Sequence, residues 1–348
     1  MEKIFIGIDV SKETVDVSVV LKDEYEKPAC LAYGKFENAP RGFVQMLALA
    51  RKEGKKLGMD DACLLFCCEC TGCYDSRLCN WLVGRGLFIW RESALQIKRS
   101  LGLRRGKDDK SDSEAIAMYA MRHADNAVCY KPDSPTLTSM QELIVYRKQL
   151  VERRTACMAR LKQMECMDAS VRSAFIVKDL KGEIDNLVKR IALCEERLAE
   201  TIKEDEEILH TYEIVTSFCG IGLVCAAAII AYSGNFKKLS SSRSMACYCG
   251  LVTFYADSGT SVHHQDGTKH ICNKDLKAYL TNAVLCAIKY NSPISLYYQR
   301  LLNKGKLPQV AKNNVKHKIL HILYAMVKND SPFDEGYEDL HKKKEKAA

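Results

Sequence analysis

Residues 4–20 read IFIGIDVSKETVDVSVV, and this stretch decides how the chain begins to fold. Ile4, Ile6 and Ile8 alternate with other residues, a polar break covers Ser11, Lys12 and Glu13, and Val15, Val17 and Val19 alternate again. A period of two is the repeat of a strand face, so the stretch predicts a β-hairpin. Working outward, Pro40 and Gly42 precede an apolar-periodic helix over 43–51, and the compact apolar run 62–68 predicts a strand ending at Glu69. Trp81, Leu82 and Val83 fit a following helix, 87–90 a short strand, and 111–121 a helix preceded and opened by acids, as the helix dipole favours. Strands alternating with helices predict an α/β domain.

Pro132 and Pro135 close this segment, and hardly any Gly or Pro follows until Gly220. Leu143, Leu150, Cys157 and Met164 recur every seven residues, while Leu180, Ile184, Leu187, Ile191, Cys194 and Leu198 step by four and three. Such heptad seams predict a helical coiled-coil segment, either folded on itself or paired between chains. From Tyr212 the composition turns to Gly, Ser and small apolar residues, then to basic helices as far as Val327. The expected organisation is therefore 1–132, 133–211, 212–333 and a charged tail 334–348.

The 348 residues are 47% hydrophobic and 28% charged, which excludes global disorder. The longest apolar stretch, 220–232, is shorter than the roughly 20 residues of a membrane span, and no basic-then-apolar leader opens the chain. A cytoplasmic protein without a membrane partner is expected. The 52 Lys and Arg against 44 Asp and Glu leave a charge of +8, compatible with a polyanionic partner. Seventeen cysteines read as reduced thiols rather than a disulfide framework.

Asp9 and Glu69 stand at predicted strand ends, and Asp109 and Asp112 lie three apart where a helix starts, hence on one face. Carboxylates brought together there would repel unless a cation joined them, and hard oxygen ligands suit Mg²⁺. Two such ions can stabilise the oxygens of an in-line phosphoryl displacement. Read without that convergence, the same acids are a turn residue and solvated helix-start residues.

The motifs GIDVSK around Asp9, ECTGCY from Glu69 to Tyr74, and RGKDDKSDSEAIA from Arg105 to Ala117 resemble the RuvC-like (RNase H-like) DEDD domain of insertion-sequence one-ten transposases, a family of bridge-RNA-guided recombinases. Glu69, Thr71, Gly72 and Tyr74 match the second motif, and Lys107, Asp109 and Asp112 the third; Asp108 and Ser113 depart from it. SFCGIGLVCAAAI, 217–229, looks like the family's helix-hairpin-helix, with Gly220 and Gly222 able to approach a phosphate. CGLVTFYADSGTSV resembles the segment that carries the nucleophile, which the resemblance assigns to Ser258. KHICNKDLK keeps Asn273 and Leu276 but has Lys277 for arginine, which loses the bidentate fork. The last helix carries Lys312, Lys316 and Lys318 on what reads as one basic face.

The resemblance implies an α/β RuvC-like N-terminal domain, the coiled-coil segment, and a mainly α C-terminal transposase domain. It implies a metal site of Asp9, Glu69, Asp109 and Asp112, taking Mg²⁺, two ions per site. It also implies nucleic-acid contacts from Arg104, Arg105, Lys107, Gly220, Gly222, Lys274, Lys277, Lys312, Lys316 and Lys318. The partners it implies are a structured bridge RNA, donor and target double-stranded DNA, and further copies of the chain in a tetramer built as a dimer of dimers, acting at the nucleoid of a prokaryotic cell. Three rivals stand beside it. Cys67, Cys70 and Cys73 have the C-x-x-C-x-x-C spacing of iron–sulfur ligation, and His263, His264, His270 and Cys272 could hold zinc. A non-catalytic nucleic-acid scaffold would use the basic faces alone. A Holliday-junction resolvase-like nuclease would use the four acids without Ser258.

Overall fold

The strand and helix periods above appear in a computed structural model that describes residues 3–22, 27–100, 108–168, 170–258, 262–268 and 271–334, excluding the side chains of 254–258 and 262–268. Arg104, Arg105, Lys107, His270 and the tail beyond 334 lie outside the described residues. The chain divides into two compact units at Pro132.

The first unit contains a five-stranded sheet ordered β3-β2-β1-β4-β5. β1 (Ile4–Val10) and β2 (Thr14–Lys22) are the expected hairpin, and β3 (Pro28–Glu37) adds an antiparallel strand beside β2. The sequence reading missed β3. Its residues alternate only between exposed and half-buried, and Pro28 opens it, as suits an edge strand with a weak apolar pattern. α1 (Pro40–Lys56) then leads to β4 (Leu64–Glu69), and α2 (Ser76–Val83) to β5 (Ile89–Glu92), both strands parallel to β1. α3 (Ala94–Ser100) and α4 (Asp109–Arg122) complete the unit.

The period of two sorts the sheet into two faces. Ile4, Ile6 and Ile8, with Val15, Val17 and Val19 of β2 and Phe66 of β4, pack against Phe43 and Met46 of α1 and Leu78 and Leu82 of α2. Phe5, Leu65, Cys67 and Trp90 face the other way, onto Ile116, Ala117 and Ala120 of α4. α4 lies so close to β1 that a Cβ on Gly7 would stand 2.2 Å from both the Ala117 nitrogen and the Ser113 oxygen. The adjacent hydroxyls of Ser18 and Ser113 share a buried hydrogen bond of 2.7 Å.

The second unit is mostly helical: α5 (Pro135–Glu165), α6 (Ala174–Lys203), α7 (Glu206–Thr216), α8 (Leu223–Ser233), α9 (Ser242–Tyr248), α10 (Lys274–Tyr290), α11 (Ser292–Asn303) and α12 (Pro308–Lys328). Between α9 and α10 lies an unanticipated two-stranded antiparallel ribbon, β6 (Thr253–Ser258) and β7 (Val262–Thr268). α5 and α6 run antiparallel, with Arg147 paired to Glu195 and Arg153 to Glu183. Leu150, Leu187, Ile191 and Cys194 are buried between them. Leu198 and Ile202 continue into the unit's main core with Ile144, Phe218 and the apolar α8. Along α6 burial fades toward the turn, where Leu180 and Ile184 are half-buried and Phe175 is 77% exposed, whereas Met164 in the last turn of α5 is buried. No helix among the described residues is long and apolar enough to cross a membrane.

Gly7→Ala is expected to destabilise the protein by about 1–3 kcal/mol or more, because the methyl group meets backbone rather than a side chain that can swing aside. Chemical denaturation of the full chain measures this. An unchanged midpoint would show that α4 does not press on β1 as described.

Candidate active site

Strand register assembles a row of acids. Asp9 and Asp16 are opposed on β1 and β2, Ile8 and Cys68 are paired on β1 and β4, and Glu69 and Glu92 are paired on β4 and β5. By strand alternation Asp9, Asp16, Glu69 and Glu92 all belong to the face covered by α4. α4 starts at Asp109 with Asp112 one turn on, its N-terminus fixed by a reciprocal cap between Asp108 and Ser111. The structure thus sets Asp9 and Glu69 at neighbouring strand ends on the face that α4 covers, with Asp109 and Asp112 in the first turn of that helix. Asp9 registers the company: its carboxyl is pushed up to about 6, first by burial and then by the charges of Asp112, Glu69 and Asp109.

The sequence reading missed the residues that hold this cluster. Asp16 is 3% exposed and accepts a hydrogen bond from the Tyr33 hydroxyl. Lys35, opposite Asp16 on β3, reaches both Asp16 at 3.2 Å and Asp109 at 2.9 Å. Those two carboxylates raise the Lys35 ammonium above the usual lysine range, keeping it charged. Glu92 accepts from the Tyr119 hydroxyl at 3.0 Å. A period-two reading of VDVSV puts Asp16 opposite the valine face, so its side was legible; the reach of Lys35 was not, because β3 itself was missed.

The ECTGCY loop is held from behind. Asp75, fully buried, is paired with Arg91 of β5, and the Thr71 hydroxyl lies 3.4 Å from Asp75. Arg91 also donates to the Gly72 oxygen at 3.1 Å, and Gly72 takes φ +88°, which favours glycine. Asn38 donates to the backbone oxygens of both Ser11 and Tyr74, tying the turn after β1 to the loop after β4.

This donor set is all oxygen, and Asp9 sits among like charges that a divalent cation would neutralise, so the residues fit a hard metal ion. Among the described residues no three of the acids converge within 4.8 Å; the group that does is Cys68, Asp75 and Cys79. That group is accounted for without a metal, since Asp75 pairs with Arg91 and the two thiols lie 3.6 Å apart. The iron–sulfur reading fails on geometry: Cys67 is buried in β4 on the α4 face, whereas Cys70 and Cys73 are exposed beyond its end. The side chains of His263 and His264 lie outside the described residues.

Ser258 is the last residue of β6, opposite Val262, and its side chain lies outside the described residues. The predicted contact residues of the second unit differ in their exposure and partners, and one expectation, the shared basic face of α12, needs correction. Lys316 is buried and Lys318 exposed, so Lys312, Lys316 and Lys318 do not share one solvent-facing basic surface. Burial lowers the Lys316 ammonium below the usual range. Lys277 donates to the Gly250 oxygen at 2.9 Å and is tied to the fold, whereas Lys274 is exposed at the start of α10. Asn273 caps that helix by accepting from the Leu276 amide. Gly220, at φ +109°, is needed where α10 passes: a Cβ would stand 2.9 Å from the Ala283 oxygen. Gly222 is exposed at the N-cap of α8.

Two family models match, a DEDD-domain transposase model over residues 6–165 and a model described as "Transposase IS116/IS110/IS902 family" over 212–299. The chain belongs to this transposase family. It is an enzyme of DNA transposition and recombination. The first match spans Asp9, Glu69, Asp109 and Asp112, and the second spans Ser258. A pilin gene-inverting protein of Moraxella bovis is 23% identical over 96% of this chain and 98% of its own length. The Streptomyces coelicolor protein named "Insertion element IS110 uncharacterized 43.6 kDa protein" is 23% identical over 35% of this chain and 30% of its own. Thermus thermophilus RuvC aligns with 36% of the transposase chain and 98% of its own, at 12% identity and a TM-score of 0.27.

The raised Asp9 carboxyl has a consequence for stability. Without a metal, the folded transposase keeps the Asp9 proton to about pH 6, whereas the unfolded chain loses it near pH 4. Its contribution is therefore favourable below about pH 4 and is lost as pH rises through about 6. Asp9→Asn should raise the melting temperature at about pH 7.5 in the presence of a chelator, with the gain vanishing near pH 4. A gain equal at both pH values would rule out this charge as its cause.

Proposed function

We propose that this transposase cuts and rejoins DNA strands of a mobile element, with Asp9, Glu69, Asp109 and Asp112 holding two Mg²⁺ ions and Ser258 acting as nucleophile. The observation that carries the reading is the placement of Asp9 and Glu69 at neighbouring strand ends on the face covered by α4, whose first turn holds Asp109 and Asp112, and the raised Asp9 carboxyl agrees with it. Bound to these carboxylates, Mg²⁺ would neutralise a phosphodiester and polarise its oxygens. Lys35 keeps Asp109 and Asp16 in place from the β3 side, and the Arg91–Asp75 pair supports the loop that follows Glu69.

In the proposed exchange the Ser258 hydroxyl gives its proton to solvent water as its oxygen bonds to phosphorus. The bond from phosphorus to the departing strand breaks, and that strand's oxygen takes a proton to become a hydroxyl. The ester conserves the phosphodiester until a second strand's hydroxyl attacks and restores Ser258. Family membership and the position of Ser258 within the second matched region support this role. The family resemblance extends the proposal to a bridge RNA that pairs with donor and target double-stranded DNA, and to a tetramer built as a dimer of dimers. The net charge of +8 supports polyanion binding, and exposed Val171 and Phe175 at the end of the helical hairpin support association between copies.

Asp9→Ala, Glu69→Ala, Asp109→Ala or Asp112→Ala should each reduce strand cleavage at least about a hundredfold, comparable to the loss of a principal electrostatic group from an active site. Ser258→Ala should bind end-labelled DNA yet form no denaturation-resistant protein–DNA adduct in Mg²⁺ with the cognate RNA. Normal rejoining by Ser258→Ala would remove Ser258 as the nucleophile, and cleavage by water that releases free ends would replace the recombinase mechanism with a nuclease one.

A further inference from the structure

The face of the first unit's sheet opposite the acids carries a feature that the proposed chemistry does not use. Between α1 and α2 lies an open groove of about 960 Å³ whose lining includes Arg51, Lys52, Lys55, Lys56, Trp81 and Arg85. Two of these cations are neutralised locally: Arg51 is paired with Asp61 at 2.6 Å and Lys56 with Glu53 at 2.7 Å. Lys52 and Lys55 are exposed and make no ion pair among the described residues. The Arg85 guanidinium lies 3.6 Å from the centroid of the Trp81 ring and donates to the Trp81 backbone oxygen, which orients it without discharging it.

Helix stability does not call for this arrangement. Lys55 and Lys56 in the last turn of α1 already complement its dipole. With Arg51 and Lys56 neutralised, Lys52 and Lys55 remain a like-charge pair at a spacing of three, which opposes the helix. A concave surface that tolerates such repulsion is matched to a polyanion. The guanidinium stacked on indole adds a flat, charged platform. Duplex bases are stacked inside the helix and cannot use such a platform, whereas an unpaired base can.

We propose that the α1–α2 groove is a binding site for single-stranded nucleic acid, with Lys52 and Lys55 on successive phosphates and one base stacked at Arg85. Because the acids lie on the other face of the sheet, the bound segment is distinct from the strand cut there. The site rests on the transposase reading only in that nucleic acid is present, and its test requires no cleavage.

Fluorescence anisotropy of the full chain with oligo-U and oligo-dT of about 15 nucleotides tests the proposal at several salt concentrations. Lys52→Glu/Lys55→Glu should weaken binding about tenfold at low salt and reduce the slope of log affinity against log salt by about 1.4. Arg85→Lys should weaken binding while retaining that slope, because it keeps the charge and loses the plane. Lys304→Glu/Lys306→Glu, an equal charge change at exposed positions in the second unit, should have a much smaller effect. Equal binding of both oligonucleotides fits a backbone-and-stack site, and preference for one identifies RNA or DNA as its ligand. An unchanged affinity in Lys52→Glu/Lys55→Glu, an equal loss in the control, or competition by blunt duplex as strong as by single strand would overturn the proposal. Loss of cleavage in Asp9→Asn alongside unaltered binding in Lys52→Glu/Lys55→Glu would therefore reject the groove and leave the acid site standing.

Discussion

The approach of α4 to β1 at Gly7 is the constraint on which the first unit depends. With no side chain at that position, the helix backbone rests on the strand, and the Ser18–Ser113 hydrogen bond satisfies two hydroxyls that the contact buries. Only at that depth does the N-terminus of α4 bring Asp112 and Asp109 beside the end of β1. A larger residue would push the helix outward and carry two of the four proposed metal ligands with it. A packing requirement in one place therefore sets the geometry of charges two residues further along the strand.

Charges so arranged oppose folding, and the surrounding structure shows how that cost is contained. Lys35 bridges Asp16 and Asp109, Tyr33 donates to Asp16, and Tyr119 donates to Glu92, so the flanking acids each have a donor. At Asp9, burial and the neighbouring charges push the carboxyl up. This division is physically sensible for the proposed cation site. The flanks are satisfied by the protein and the centre is kept electrostatically hungry.

Much of this was legible in the sequence because it rests on periodicity. Alternation in residues 4–20 predicted the hairpin, and the ends of two apolar runs predicted where Asp9 and Glu69 would stand. β3 was not legible, because an edge strand with one face in water has little apolar signal, and Lys35 and Tyr33 were lost with it. The pairing of Arg91 with Asp75 was hidden for another reason: it joins residues on separate elements, and only strand order reveals that they meet. In the second unit a helical period marked α12 correctly but overstated its basic face, since Lys316 lies on the side turned to the core. Gly220 was read for its openness to phosphate, whereas the passage of α10 explains its lack of a side chain.

The graded burial along α6 gives that helix two different responses to disturbance. Near Leu198 and Ile202 the helix belongs to the same core as α8, so its amides exchange with solvent hydrogen only when much of the second unit opens. Near Phe175 few buried contacts hold the turns, and opening there is a local event of low free energy. The outer turns of α6 can thus open while its base stays folded, a mechanical independence that arises from nothing more than where leucine gives way to solvent-facing residues along one helix.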